Sequence, residues 1–106
     1  IKIYNMKDFN IPFFGDEIEV HFVDNAKIGQ QKVLGYCVPG ANIIYVSLKN
    51  FDGRKLKPIQ IKTTIAHELM HVFLNSGEYY DCSQNEQLVE WLAKCIVNTY
   101  GDSETF

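Results

Sequence analysis

No apolar run in the 106 residues comes near the roughly 20 that a bilayer crossing needs, because Gly, Asn, Lys or His interrupts every long stretch. A membrane partner is therefore not expected. Positive charge is sparse as well. Ten Lys and Arg stand against thirteen Asp and Glu, and no basic run exceeds two adjacent residues. Phosphate binding needs concentrated positive charge, so a nucleic-acid partner is not expected either. Cysteine is scarce and unpatterned: Cys37, Cys82 and Cys95 are odd in number and form no C-x-x-C pair. That argues against a disulfide scaffold and a zinc knuckle, and for reduced thiols in the cytoplasm. No segment reads as a basic-then-apolar leader, which fits the same compartment.

The chain does carry bulky side chains for a core: seven Phe, six Tyr and one Trp, with 46% of residues hydrophobic. The length suits one compact domain over residues 1–106, with its oligomeric state open. The first half reads as β. Glu17 to Val23 alternates, placing Ile18, Val20 and Phe22 on one face, the period of a half-buried strand. Val33 to Val38 and Asn42 to Leu48 are two further strands, and Pro39-Gly40 between them predicts a hairpin. Phe9, Phe13 and Phe14 are expected in the core or as a lid on the sheet.

The second half reads as α. Phe51 to Lys57 is polar and contains Gly, hence a loop. Pro58 then opens a helix expected to run to Asn75, with Gly77 as its breaker. Glu78 to Cys82 connects to a last helix over Ser83 to Tyr100, stopped by Gly101 and followed by a loose tail over residues 102–106. On that last helix Leu88, Val89, Leu92, Ala93, Ile96 and Tyr100 define the buried side, and Trp91 falls outside it. The fold expected is α+β, with a short antiparallel or mixed sheet of about three strands packed on the two helices.

The segment His67-Glu68-Leu69-Met70-His71 carries the chemistry. Residues four apart share a helix face, so His67 and His71 can present both imidazoles to one point. Glu68 is placed to reach a water held there without ligating. Two ligands and a general base in this order are the pattern of a hydrolytic Zn2+ site. Apolar residues cover most of the remaining circumference, which predicts a largely buried helix with one polar window. The third ligand is sought on the last helix, where Glu86 and Glu90 share a face. Glu86, at the margin of the buried side, is the first choice. Glu90 then suits the role of accepting a ligand histidine's N–H. Two alternatives stay open: Ser83-x-x-Glu86 also reads as a capping box, and Glu90 lies at a spacing that would itself allow ligation. His21 reads as an ordinary surface or half-buried residue.

The pair HELMH … NEQLVE resembles the glutamate zincins, in which H-E-x-x-H on one helix is followed by N-E-x-x-x-[DE] on the next. The run from Glu86 to Lys94 is also similar to the E-x-x-A-N-x-F-A run of ImmA/IrrE-type peptidases, and small phage and bacterial metallopeptidases share this layout. The resemblance covers roughly residues 58–100. It departs from the larger enzymes in the short gap from His71 to Glu86 and in having Glu at position 90. It implies a zinc metallopeptidase acting on a peptide or protein, with His67, His71 and Glu86 on the metal and Glu68 as base. It also implies a zincin-like sheet whose edge strand binds the substrate backbone, for which the strand Asn42 to Leu48 is the nearest in sequence. Tyr79 and Tyr80 read first as aromatic anchors of the loop between the two helices, and the alternative role for either is an oxyanion donor. The alternative is a catalytically inactive, zinc-stabilised binding or regulatory module of the same fold.

Overall fold

The computed structural model describes residues 7–100. Gly101 and the tail over residues 102–106, expected as a stop and a loose end, lie outside them. Strands β1 (Phe9–Phe13) and β2 (Asp16–Val23) form an antiparallel hairpin around Phe14-Gly15, both at positive φ. A second hairpin follows, β3 (Ala26–Ile28) with β4 (Gln31–Val33), and then β5 (Gly35–Cys37) and β6 (Ile43–Ser47). Three helices complete the described chain: α1 (Pro58–Ser76), α2 (Tyr80–Gln84) and α3 (Glu86–Tyr100).

The α+β expectation holds. The main sheet has four strands in the order β1-β2-β6-β5, and it is mixed because β2 and β6 run parallel. Ile18 and Val20 of β2 and Ile44 and Val46 of β6 are fully buried, as the alternation requires. They face Ile61, Ile65, Leu69 and Val72 of α1, and Ala93 and Val97 of α3 close the far side. Helix α1 therefore lies between β5 and β6 on one side and α3 on the other. That position explains a helix apolar over most of its circumference. Among the described residues no helix is long and apolar enough to cross a membrane.

Several expectations need correction. Strand β1 was not foreseen, and it carries Pro12 near its middle. Pro12 is tolerated because β1 is an edge, where its missing N–H faces outward. Phe9 and Phe13 pack against the core, but Phe14 sits on the turn and is 92% exposed. The strand expected over Val33 to Val38 divides at Leu34: Val33 pairs with Ala26, and Gly35 onward pairs with β6. The buried Ser47 hydroxyl holds the extra hairpin to the sheet, accepting from Ala26 N (2.8 Å) and donating to Val33 O (2.8 Å). The hairpin around Pro39-Gly40 forms as expected. On α3, Tyr100 is exposed and Val97 is buried, so the buried stripe is Val89, Ala93 and Val97.

Helix α1 begins and ends close to its expected bounds. Pro58 is in the first turn, and the Gln60 side chain accepts from Lys57 N at 2.8 Å. At the other end Tyr79 N bonds Leu74 O (2.8 Å) and Glu78 N bonds Asn75 O (3.1 Å), a Schellman ending. The left-handed residue is Glu78 (φ +64), not Gly77. At Gly77 a Cβ would stand 3.0 Å from the ring of the exposed Tyr79, a tight contact that the ring would have to yield.

Candidate functional site

Helices α1, α2 and α3 bring five polar side chains to one point. His67 and His71, one turn apart on α1, have their Nε2 atoms 3.3 Å from each other. Glu86, the first residue of α3, places Oε2 3.0 Å from His67 Nε2 and Oε1 3.3 Å from His71 Nε2. These three residues can hold a metal ion. The other ring nitrogens are engaged from behind. His67 Nδ1 is 2.8 Å from Glu90 Oε2, and His71 Nδ1 is 2.9 Å from Ser83 Oγ. The Glu90 carboxylate only accepts, so it fixes the proton of His67 on Nδ1 and turns the Nε2 lone pair toward Glu86 and His71.

With the proton of His71 on Nδ1, donated to the Ser83 hydroxyl, three acceptors converge. A cation among the three satisfies all of them at once. Both imidazoles are mostly shielded, with side chains 20% and 14% exposed, whereas Glu86 is 66% exposed. The centre is thus walled by α1 and open toward solvent on the α3 side. Burial holds His71 below the usual imidazole range, against the pull of Glu86. That keeps its ring neutral and available as a ligand.

No family model, curated protein or solved structure matches the chain. The site is read from its own geometry.

Glu68 is buried at 6% exposure, on the sheet side of α1. Burial pushes its carboxyl up to about 7; the neighbouring His67 opposes the shift and Glu86 adds to it. A carboxylate with that value can take and return a proton near neutral pH. What lets α1 come so close to the sheet is Gly35 on β5. A Cβ on Gly35 would lie 2.6 Å from Thr64 Cγ2 and 3.3 Å from Glu68 Cγ.

Two cavities meet at His67 and Glu90. One, of about 510 Å3, is an open shelf along α3 beside Glu86, Trp91 and Lys94. The other, of about 560 Å3, runs between the β3–β4 hairpin, the start of β5, Phe51 and α1, and ends at Glu68. The strand beside this groove is β5. It is an edge, while β6, the strand nearest in sequence to α1, is paired on both sides. The strand proposed from sequence for substrate pairing is therefore interior. Leu34 and Val38 bond β6 through Ser47 N (2.9 Å) and Ile43 O (2.9 Å). By alternation, the backbone of Gly35 and Cys37 faces away from the sheet.

The structure brings His67, His71, Glu86, Glu90 and Glu68 together and leaves the two tyrosines out. Tyr79 and Tyr80 are 64% and 55% exposed. Tyr80 lines a separate cavity of about 280 Å3 with Cys37, Pro39 and Val72. The capping-box alternative for Glu86 also fails. Ser83 belongs to α2, and Asn85 caps α3 instead, its Oδ1 accepting from Leu88 N at 3.1 Å. Ser83 and Gly35 went unrecognised as site residues. Ser83 gave no separate signal, because its tie to His71 depends on how α2 folds back. Gly35, inside a strand-like run, did carry one: such a glycine marks a close backbone approach.

Proposed function

We propose that the chain is a zinc-dependent metallopeptidase of the glutamate-zincin type that hydrolyses a peptide bond in a peptide or protein. His67, His71 and Glu86 are the ligands and Glu68 is the general base. The carrying observation is the spacing of the ligand atoms: the two Nε2 atoms lie 3.3 Å apart, and the Glu86 carboxylate reaches both, with Oε2 3.0 Å from His67 and Oε1 3.3 Å from His71. Zinc bonds of about 2.0–2.1 Å at tetrahedral angles separate neighbouring ligand atoms by about 3.3–3.4 Å. Glu90 is excluded from the ligand set in this reading by its hydrogen bond to the far nitrogen of His67.

Bound zinc supplies a Lewis acid that polarises the scissile carbonyl and acidifies water. Glu68 accepts a proton from the attacking water and returns it to the departing amine as the C–N bond breaks. Glu90 and Ser83 hold the two imidazoles in the ligating tautomer. The outward backbone of Gly35 and Cys37 offers an extended substrate a strand to pair with, beside Glu68. In this reading the chain works in the cytoplasm, where Cys37, Cys82 and Cys95 stay as free thiols.

Glu68→Gln tests the reading. The variant should keep near-stoichiometric zinc by elemental analysis while cleavage falls by about 10²–10⁴-fold. His67→Ala should lose the metal. A wild-type chain that takes up no zinc, or a Glu68→Gln variant that cleaves at the wild-type rate, refutes the proposal. Zinc without cleavage in either protein favours the inactive zinc-stabilised module.

A further inference from the structure

We infer that the β3–β4 hairpin and the loop over residues 49–57 form a docking surface for an acidic polypeptide segment, lying at the mouth of the groove that ends at Glu68. Naming that segment as substrate rests on the peptidase reading.

The chain is acidic overall, yet its charge is segregated. Between residues 27 and 62 it carries six lysines and one arginine against a single acid, Asp52. Strand register then gathers what the sequence spreads out. Lys27 lies directly opposite Lys32 in the hairpin, and Lys49 opposite Lys55 across the loop. Like charges placed opposite each other destabilise a strand pair, so both arrangements work against folding. Acids relieve only part of this. Lys49 reaches Asp24 and Arg54 reaches Asp52, each at 3.5 Å. Among the described residues, Lys27, Lys32, Lys55 and Lys57 make no ion pair.

The positive face is continuous with the groove. Lys32 Nζ donates to Phe51 O at 3.4 Å, tying hairpin to loop and setting its ammonium at the cavity mouth. Inside, Val33 and Leu34 line the way to Thr64, His67 and Glu68. At the far end Glu68, Glu86 and Glu90 stand around the proposed metal centre. A chain entering with acidic residues over the lysines and an apolar side chain in the groove meets favourable contacts at each step. Nucleic acid fits less well: among the described residues lining this cavity Phe51 is the only Phe, Tyr or Trp, and the lone arginine is already paired. A protein segment is the occupant these features favour.

The test uses zinc-loaded Glu68→Gln chain, so that binding is read without turnover. Fluorescein-labelled peptides sharing one apolar centre, with Glu, Ser or Lys flanks, are compared by fluorescence anisotropy at low and at physiological salt. The Glu-flanked peptide should bind about tenfold tighter than the Ser-flanked one, and the gap should shrink with salt. Adding Lys27→Glu and Lys32→Glu should abolish the gap and favour the Lys-flanked peptide. Lys27→Gln with Lys32→Gln, which only removes charge, should narrow it while the melting curve stays cooperative. Equal affinity for the three peptides overturns the inference. So does a single-stranded oligonucleotide of matched charge that binds tighter than the Glu-flanked peptide. Cleavage of the same peptides by wild-type chain is read separately by mass spectrometry. Flank preference without cleavage sinks the peptidase reading alone; cleavage without flank preference sinks the docking surface alone.

Discussion

Replacing Gly35 by Ala tests how the sheet and the candidate site are joined. The added methyl would sit 2.6 Å from Thr64 Cγ2, 3.1 Å from Tyr45 O and 3.3 Å from Glu68 Cγ. Real Cβ contacts do not reach 2.6 Å, and the carbonyl of an interior strand cannot retreat. Helix α1 must therefore lift from β5, an overpacking that costs about 1–3 kcal/mol. For a chain of this size each kcal/mol lowers the melting temperature by about 4–8 °C. Thr64→Ser removes the closest atom and keeps the hydroxyl that donates to Gln60 O at 3.1 Å. Alone it should cost about 0.8 kcal/mol, the loss of one methyl group. In its background, Gly35→Ala should cost at least about 1 kcal/mol less than in the wild type, a coupling that urea unfolding of the four proteins resolves. Cleavage should fall in Gly35→Ala beyond what stability explains, because Glu68 moves with the helix. If Gly35→Ala unfolds within about 0.5 kcal/mol of wild type, or its cost is unchanged by Thr64→Ser, the close approach is not what sets this glycine.

Ser83→Ala and Glu90→Ala should each weaken zinc affinity by about 10–100-fold in chelator competition, with Glu68 and the ligands intact. Asn85→Ala removes the cap of α3 and should cost about 1 kcal/mol in thermal unfolding, and zinc should bind more weakly too because Glu86 lies in the frayed turn. His21 is held above its ordinary 6.5 chiefly by its hydrogen bond to Asp8, with Glu19 on its other nitrogen. A raised folded-state value means stability present in full below about 6.5 and lost as pH climbs through the folded value. The urea midpoint of the wild type should therefore fall relative to that of His21→Gln between about pH 6 and 8. A constant difference between the two across that range would refute it.

Much of this was legible in the sequence because it is local. The bounds of α1 follow from Pro58 and the apolar periodicity. The convergence of His67, His71, Glu86 and Glu90 follows from four-residue spacing on α1 and on α3. What depends on pairing was less legible. Strand β1 was missed because it is an edge held by its pairing with β2, and a pairing cannot be told without knowing the neighbours. The parallel β2–β6 pairing moved β6 to the interior and handed the edge to β5. Asn85 caps α3 in place of Ser83 because a five-residue helix over Tyr80–Gln84 takes Ser83 out of the last helix. The lysine pairs are the same kind of miss: no basic run is long in sequence, yet register sets lysine against lysine.

The proposed metal centre is encoded over a short stretch of chain. His67 and Glu86 are 19 positions apart, and among the described residues every side chain hydrogen-bonded to the proposed ligands lies between residues 67 and 90. Closing so short a loop costs little chain entropy, and helical contacts of this kind form early. The surroundings of Glu68 depend instead on Gly35, 33 positions away, on a strand joined to the sheet through β6, whose other partner, β2, runs parallel to it across a long connection. Metal capture and the shaping of the base thus belong to different stages of folding. Lesions in the sheet should spare the first while they damage the second, leaving a chain that still holds its ion and has lost its chemistry.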